Sequence, residues 1–281
     1  MATSFEFSMS GLAIRLVGFA LGVEVRRDPL SVPDLAPGPN ARDRAAREVA
    51  AQLRRSRLLA RGRVNPYLQV AFELFRSCRA SVALTGIDHD ERQFGVLGLS
   101  DFRQALVVWQ GHDTEDTRFT LLPDEDWIEA VTAAAPSARA AAGRELVMEV
   151  PVTPAMSAHS RRRLDRAERD EQETREFDDL SVQSMIRPPQ RGFSGRVRSD
   201  RELVEAVMAG ERLGSGRLSV TARRRTGPRT SAPDVGWFDT GHGRYLLHTT
   251  RSRAAMTITV RPGGTREMGE EVRAAIGALS T

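Results

Sequence analysis

The sequence predicts an α+β fold, a duplicated antiparallel sheet of quasi-twofold design with a helical group on each half. Three observations carry this. Four strand patterns follow one another between residues 80 and 122, with connections too short for parallel crossovers. A second run of strand patterns fills residues 216–261. Each run closes on an amphipathic helix pattern, so the order of the first half returns in the second.

The elements follow in order. Residues 4–8 suit a short strand. Residues 9–21 are apolar and suit a helix with Arg15 on its wet side. Residues 29–39 (PLSVPDLAPGP) are a stiff, breaker-rich connection. Asn40 is a suitable N-cap for a helix from 41 to about 59, with Ala46, Val49, Ala50 and Leu53 on one face. Gly62 ends that segment. Asn65-Pro66 opens the next helix, cap followed by proline at the first helical position. Its Leu68, Ala71, Phe72 and Phe75 form one apolar stripe. Strand patterns cover 80–87, 93–98, 103–110 and 117–122, and a helix pattern covers 124–134 with Trp127, Ile128 and Val131 inward. The small-residue joint at 133–143 (AAAPSARAAAG) separates an N-terminal half, 1–140, from a C-terminal half, 141–281.

The second half begins with alternating Leu146, Met148 and Val150. Thr153-Pro154 repeats the cap-plus-proline signal for a helix. Residues 161–176 are almost all charged and read as a solvated helix or loop. Residues 180–186 are a short apolar return, and 187–199 (RPPQRGFSGRVRS) read as a loop. Asp200 is placed to cap a helix with Leu203, Val204, Val207 and Met208 inward. Strand patterns follow at 216–224, in the hairpin of 233–250 (PDVGWFDTGHGRYLLHTT) and at 255–261. In the hairpin, Asp239 to Gly243 supply the turn. The last helix spans 265–280, with Met268, Val272, Ala275, Ile276 and Leu279 on one face.

Composition narrows the function. The 281 residues carry 41 basic and 37 acidic groups, a net charge of +4. Every basic residue is arginine, so the sequence pI of about 10.3 reflects a small surplus of groups that never deprotonate, not a strong field. The absence of lysine removes a P-loop lysine, a Schiff base and a lysine general base. The single cysteine, Cys78, rules out an internal disulfide and a multi-cysteine zinc site, and it reads as a buried, inert thiol on a helix face. No uncharged run is long enough to cross a bilayer, so a cytoplasmic protein is expected. No GxSxG, HExxH or GxGxxG occurs. Asp88-His89-Asp90 reads as a turn rather than a metal or acid–base group, and His242 as a turn residue. An enzyme centred on Asp88, Asp90 and His112 ranks last. No catalytic residue, metal or cofactor is expected. Arg223-Arg224-Arg225, Arg229 and the arginines of 187–201 suggest an alternative, a nucleic-acid-associated protein. Aromatics, at 6%, do not interleave with them as stacking platforms would.

Beside these readings stands a resemblance. The passage GRLSVTARRRTG…VGWFDTGHGRYLLHTT…MTITVRPG before a terminal helix, sharpest at Trp237 to Leu246, resembles the EspG family of actinobacteria. The resemblance covers most of the chain. It implies a quasi-twofold sheet with two helical bundles, and a non-enzymatic cytosolic chaperone of ESX (type VII) secretion. Such a chaperone covers the apolar tip of helical secreted substrates of the PE/PPE or WxG type. By position it points to Ile87, Phe94, Leu97, Val107 and Trp109 on the sheet, and to Leu180, Val182, Met185, Leu203 and Val207 in the C-terminal helices, as partner-binding residues. An open sheet edge would also allow a homodimer.

Overall fold

The computed structural model describes residues 4–35, 38–111, 116–151, 199–224, 227–252 and 255–280. The readings for His112, for Arg225, for the helix after Thr153-Pro154, for the charged run and for the apolar return at 180–186 lie outside the described residues. So does all of the 187–199 loop except Ser199.

The described helices are α1 (Gly11–Leu21), α2 (Pro39–Arg55), α3 (Pro66–Ser77), α4 (Trp127–Thr132), α5 (Asp200–Met208) and α6 (Thr265–Ser280). The strands are β1 (Phe5–Ser10), β2 (Leu59–Ala60), β3 (Arg63–Val64), β4 (Ala80–Ile87), β5 (Gln93–Ser100), β6 (Gln104–Gly111), β7 (Asp116–Pro123), β8 (Leu146–Pro151), β9 (Gly214–Arg223), β10 (Arg229–Ser231), β11 (Val235–Thr240), β12 (Gly243–Arg251) and β13 (Ala255–Pro262). The chain forms two compact units. The first holds residues 1–145, 211–248 and 260–281, and the second holds 146–210 and 249–259. These units do not follow the halves 1–140 and 141–281, because the first takes strands from both.

Short connections make antiparallel pairing the accessible choice. The pairs β1–β7, β7–β6, β6–β5, β5–β4, β4–β9, β9–β11 and β11–β12 are all antiparallel. Outward from the central β4–β9 pair the order in the first unit is β5, β6, β7, β1 on one side and β11, β12 on the other. Helix α4 follows β7 as α6 follows β13, and α3 precedes β4 as α5 precedes β9. The duplication read from element order is thus present in the observed elements.

Alternation along the strands gives the first unit two cores on opposite faces of its sheet. On the first face, Leu97, Leu99, Leu106, Val108, Phe119 and Met9 meet Ile14 of α1, Leu53 of α2 and Leu68, Phe72 and Phe75 of α3. On the second face, Val82, Leu84, Val96, Val107, Leu218, Val220, Trp237 and Leu246 meet Trp127 and Val131 of α4 and Met268, Val272 and Ile276 of α6. In the second unit, α5 lies against β8, and Leu146, Met148 and Val204 are buried.

Three local readings change. Helix α2 is capped by Gly38 with Pro39 at its first positions, so Asn40 lies inside the helix, and Ala46 is exposed. Helix α5 is capped by Ser199 in a capping box with Glu202, and Asp200 is its first residue. Cys78 is buried as expected but ends α3 rather than lying on its face. The β2–β3 hairpin and β10 were not anticipated. Their strands are two or three residues long, too short to show an alternation. Among the described residues no helix is long and apolar enough to cross a membrane.

Candidate functional site

The WFDTGHGRYL stretch is a structural lock. Arg244 is fully buried, and its Nε and Nη2 donate to the two oxygens of Asp239 at 2.7 and 2.8 Å. Nη2 also donates to the Pro136 carbonyl at 2.6 Å, and the guanidinium lies 4.7 Å from the Trp237 ring centroid. One cation therefore ties the β11–β12 hairpin to the segment after α4. Gly243 sits at φ 119°, where a Cβ would come within 2.7 Å of the Arg139 carbonyl oxygen. The Trp237 indole overlies the opposed glycines Gly86 and Gly216, where added Cβ atoms would meet the ring at 2.5 and 2.7 Å.

A half-exposed surface lies on the first face of the sheet, along β4 and β9. Its rows are set by the register. Arg79 lies beside Arg223, then come Ser81 and Thr221, Ala83 and Ser219, Thr85 and Arg217, and Ile87 and Ser215. None of these residues is fully buried, and none belongs to either core. The strip is about 27 Å long at the usual strand rise. Next to it on the β5 side, Pro29 overlies Gly95. On the β11 side, Phe238 and Tyr245 stack at 5.5 Å. Ser81 Oγ and Thr221 Oγ1 bond each other at 2.7 Å, and Ser81 Oγ also accepts from Arg229 at 3.3 Å, so the side chains in the middle of the strip are small and these two hydroxyls are spent within the chain. Arg217 ion-pairs loosely with Asp28 and Asp234, at 4.0 and 3.7 Å.

The partner-binding residues expected from position do not gather on one surface. Ile87 is half-buried on this strip. Leu97 and Val107 are only 2% and 7% exposed, and alternation sends them into the first and second cores. Assigning them to a docking surface is corrected on that ground. Phe94 and Trp109 pack at the margin of the second core, on the opposite face from Ile87. Leu203 and Val207 are half-buried on α5 of the second unit. Leu180, Val182 and Met185 lie outside the described residues. The residues missed were Ser81, Ala83, Thr85, Ser219 and Thr221. Their signal was present as small side chains alternating with buried apolar ones, a pattern shared with any half-solvated strand.

The other candidates resolve into structural roles. The Asp88 carboxylate accepts from the backbone N–H of Arg92 and of Asp90, which holds its pKa below the ordinary carboxylate range. It is a turn former. His89 and Asp90 beside it are exposed. In the basic turn, Arg229 donates to the Cys78 carbonyl and Sγ, and Arg223 donates to the Ser77 carbonyl. The Arg229 guanidinium and one amino group of Arg223 are thus bonded within the chain.

The EspG family profile matches residues 10–274. No curated protein matches. Among solved structures, the chain resembles the type VII secretion system chaperone EspG5 of Mycobacterium tuberculosis, solved in complex with a PE25–PPE41 dimer. That likeness has a TM-score of 0.57 at 13% identity, over 99% of this chain and 97% of that one. At this identity the likeness is one of fold.

Proposed function

The chain belongs to the EspG family, and on that premise we propose that it is a cytosolic chaperone that holds the apolar tip of a helical PE/PPE-like cargo on the β4–β9 strip. The chain is not an enzyme, since its family is one of chaperones. The observation that carries the reading is the strip itself. Among the described residues, α1–α3 cover the first face over β1 and β5–β7, and α4 and α6 cover the second face, yet the two central strands present a continuous half-exposed track on the first. Small side chains there let a helical tip approach the sheet closely, and Ile87 offers an apolar contact at one end. Covering an apolar tip removes it from water and stabilises the soluble state of the cargo by mass action, with no need for nucleotide chemistry. The fold shared with EspG5, which was solved holding a PE25–PPE41 dimer, supports the same class of cargo.

The test is co-purification of the full chain with a PE/PPE-type pair from its own host. The wild type is expected to form a stoichiometric complex that persists at high salt. Ala83→Arg, a half-exposed change worth no more than about 0.5 kcal/mol of stability, is expected to abolish it. A complex untouched by Ala83→Arg would move the site elsewhere. Failure of every such pair to bind the wild type would overturn the function.

A further inference from the structure

At the Arg79–Arg223 end of the strip lies a cavity of about 490 Å³ lined by Arg79, Asp101, Arg103 and Arg223. Three guanidinium groups face one carboxylate. That carboxylate is committed, because Asp101 Oδ1 accepts from the Arg103 and Gln104 backbone N–H groups at 2.9 and 3.0 Å. Among the described residues, no carboxylate comes within ion-pair distance of Arg79, Arg103 or Arg223. Arg79 Nε is buried with no acceptor, an orphaned charged donor that costs free energy as it stands. Its guanidinium is held 4.6 Å over the Phe102 ring, so it is already oriented. The turn beneath is fixed as well, with Phe102 at φ 69° and its N–H donating to Ser100 Oγ at 2.9 Å.

We propose that this pocket receives an acidic side chain of the cargo, an Asp or Glu carboxylate docked on the arginines while the apolar tip lies on the strip. The inference rests on the chaperone reading and adds to it a polarity, acidic toward Arg79 and apolar toward Ile87. A carboxylate in the cavity gains charge-assisted bonds from the guanidinium groups that line it. A nucleic-acid backbone fits less well. The site is a single notch rather than a track, Arg229 beside it is spent on Cys78, and the Phe102 face is taken by Arg79.

The experiment titrates a hexaglutamate peptide, and separately a thymidine hexanucleotide, into the isotopically labelled full chain at low salt. It follows the Arg79 Nε–H resonance. The peptide is expected to shift that resonance and the amides of residues 101–103 saturably. Arg103→Glu, which removes no internal bond, is expected to weaken the effect by about tenfold. No shift at Arg79, or a nucleotide that displaces the peptide, would overturn the proposal. With the PE/PPE-type pair as probe, Arg103→Glu is expected to weaken the complex by about fivefold and flatten its salt dependence. If Ala83→Arg abolishes that complex and Arg103→Glu leaves both quantities unchanged, the pocket proposal falls and the chaperone reading stands. If no pair binds while the peptide still reaches Arg79, the chaperone reading falls and the acid-binding pocket stands.

Discussion

At the scale of single residues, the fold depends on a charge in its interior. Arg244 is fully buried and Asp239 nearly so, and they meet in a bidentate pair. Removing one partner leaves the other charged, desolvated and alone, which costs far more than the pair contributes on balance. Arg244→Met is expected to lower unfolding free energy by about 3–5 kcal/mol, measured by urea denaturation. Asp239→Leu combined with Arg244→Met is expected to cost less than Arg244→Met alone. A double variant as damaged as the sum of its singles would show that the pair is not coupled. The DTGHG turn was legible in the sequence, because glycine and aspartate at a hairpin tip have a local mechanism. That Arg244 is buried was not legible, since nothing in a sequence marks one arginine among 41 as an interior group.

At the scale of elements, helix faces followed the apolar period more faithfully than helix ends followed the cap signals, since Asn40 and Asp200 lie inside α2 and α5 instead of capping them. Asn65 accepts from the Tyr67 N–H at 2.9 Å, as an N-cap before proline should. Helix α2 kept Val49 and Leu53 inward and left Ala46 wet, because an alanine carries too little apolar surface to decide a face. The entry to α6 gives a pH prediction. Glu267 accepts from the Gly264 N–H at 2.7 Å. A bond to its own backbone N–H, and then the one from Gly264, hold its pKa below the usual carboxylate range. A depressed folded-state pKa contributes stability that is present above the unfolded value and is lost as pH falls through the folded one. Glu267→Gln is therefore expected to lower Tm by about 2–4 °C at neutral pH. The difference from wild type is expected to vanish in strongly acidic buffer, in calorimetry run across pH. A Tm gap that stays constant down to acid would remove the ionised carboxylate as its cause.

At the scale of the whole molecule, the strand order puts β4 and β9 in the interior of the sheet. Each is paired on both sides, and one of their faces is packed under α4 and α6. Their amides are expected to open only with global unfolding and to exchange slowest. Those of the edge strand β1 are expected to exchange much faster in native-state hydrogen exchange. Uniform protection across the sheet would contradict this ordering. The α+β class, the antiparallel runs and the duplicated order were readable in the sequence, because alternation, turn residues and short connections are properties of neighbouring positions. The binding surface was not. Leu97 and Ser81 each sit on a strand with the same period, and both lie on the first face of the sheet. The sequence alone determined which residues alternate, where the chain turns and that no lysine-dependent chemistry is possible. Only the tertiary structure decided which side of each alternation a helix would cover. It covers Leu97 with α3 and leaves Ser81, Ala83 and Thr85 half-exposed, because burial depends on what packs from distant parts of the chain.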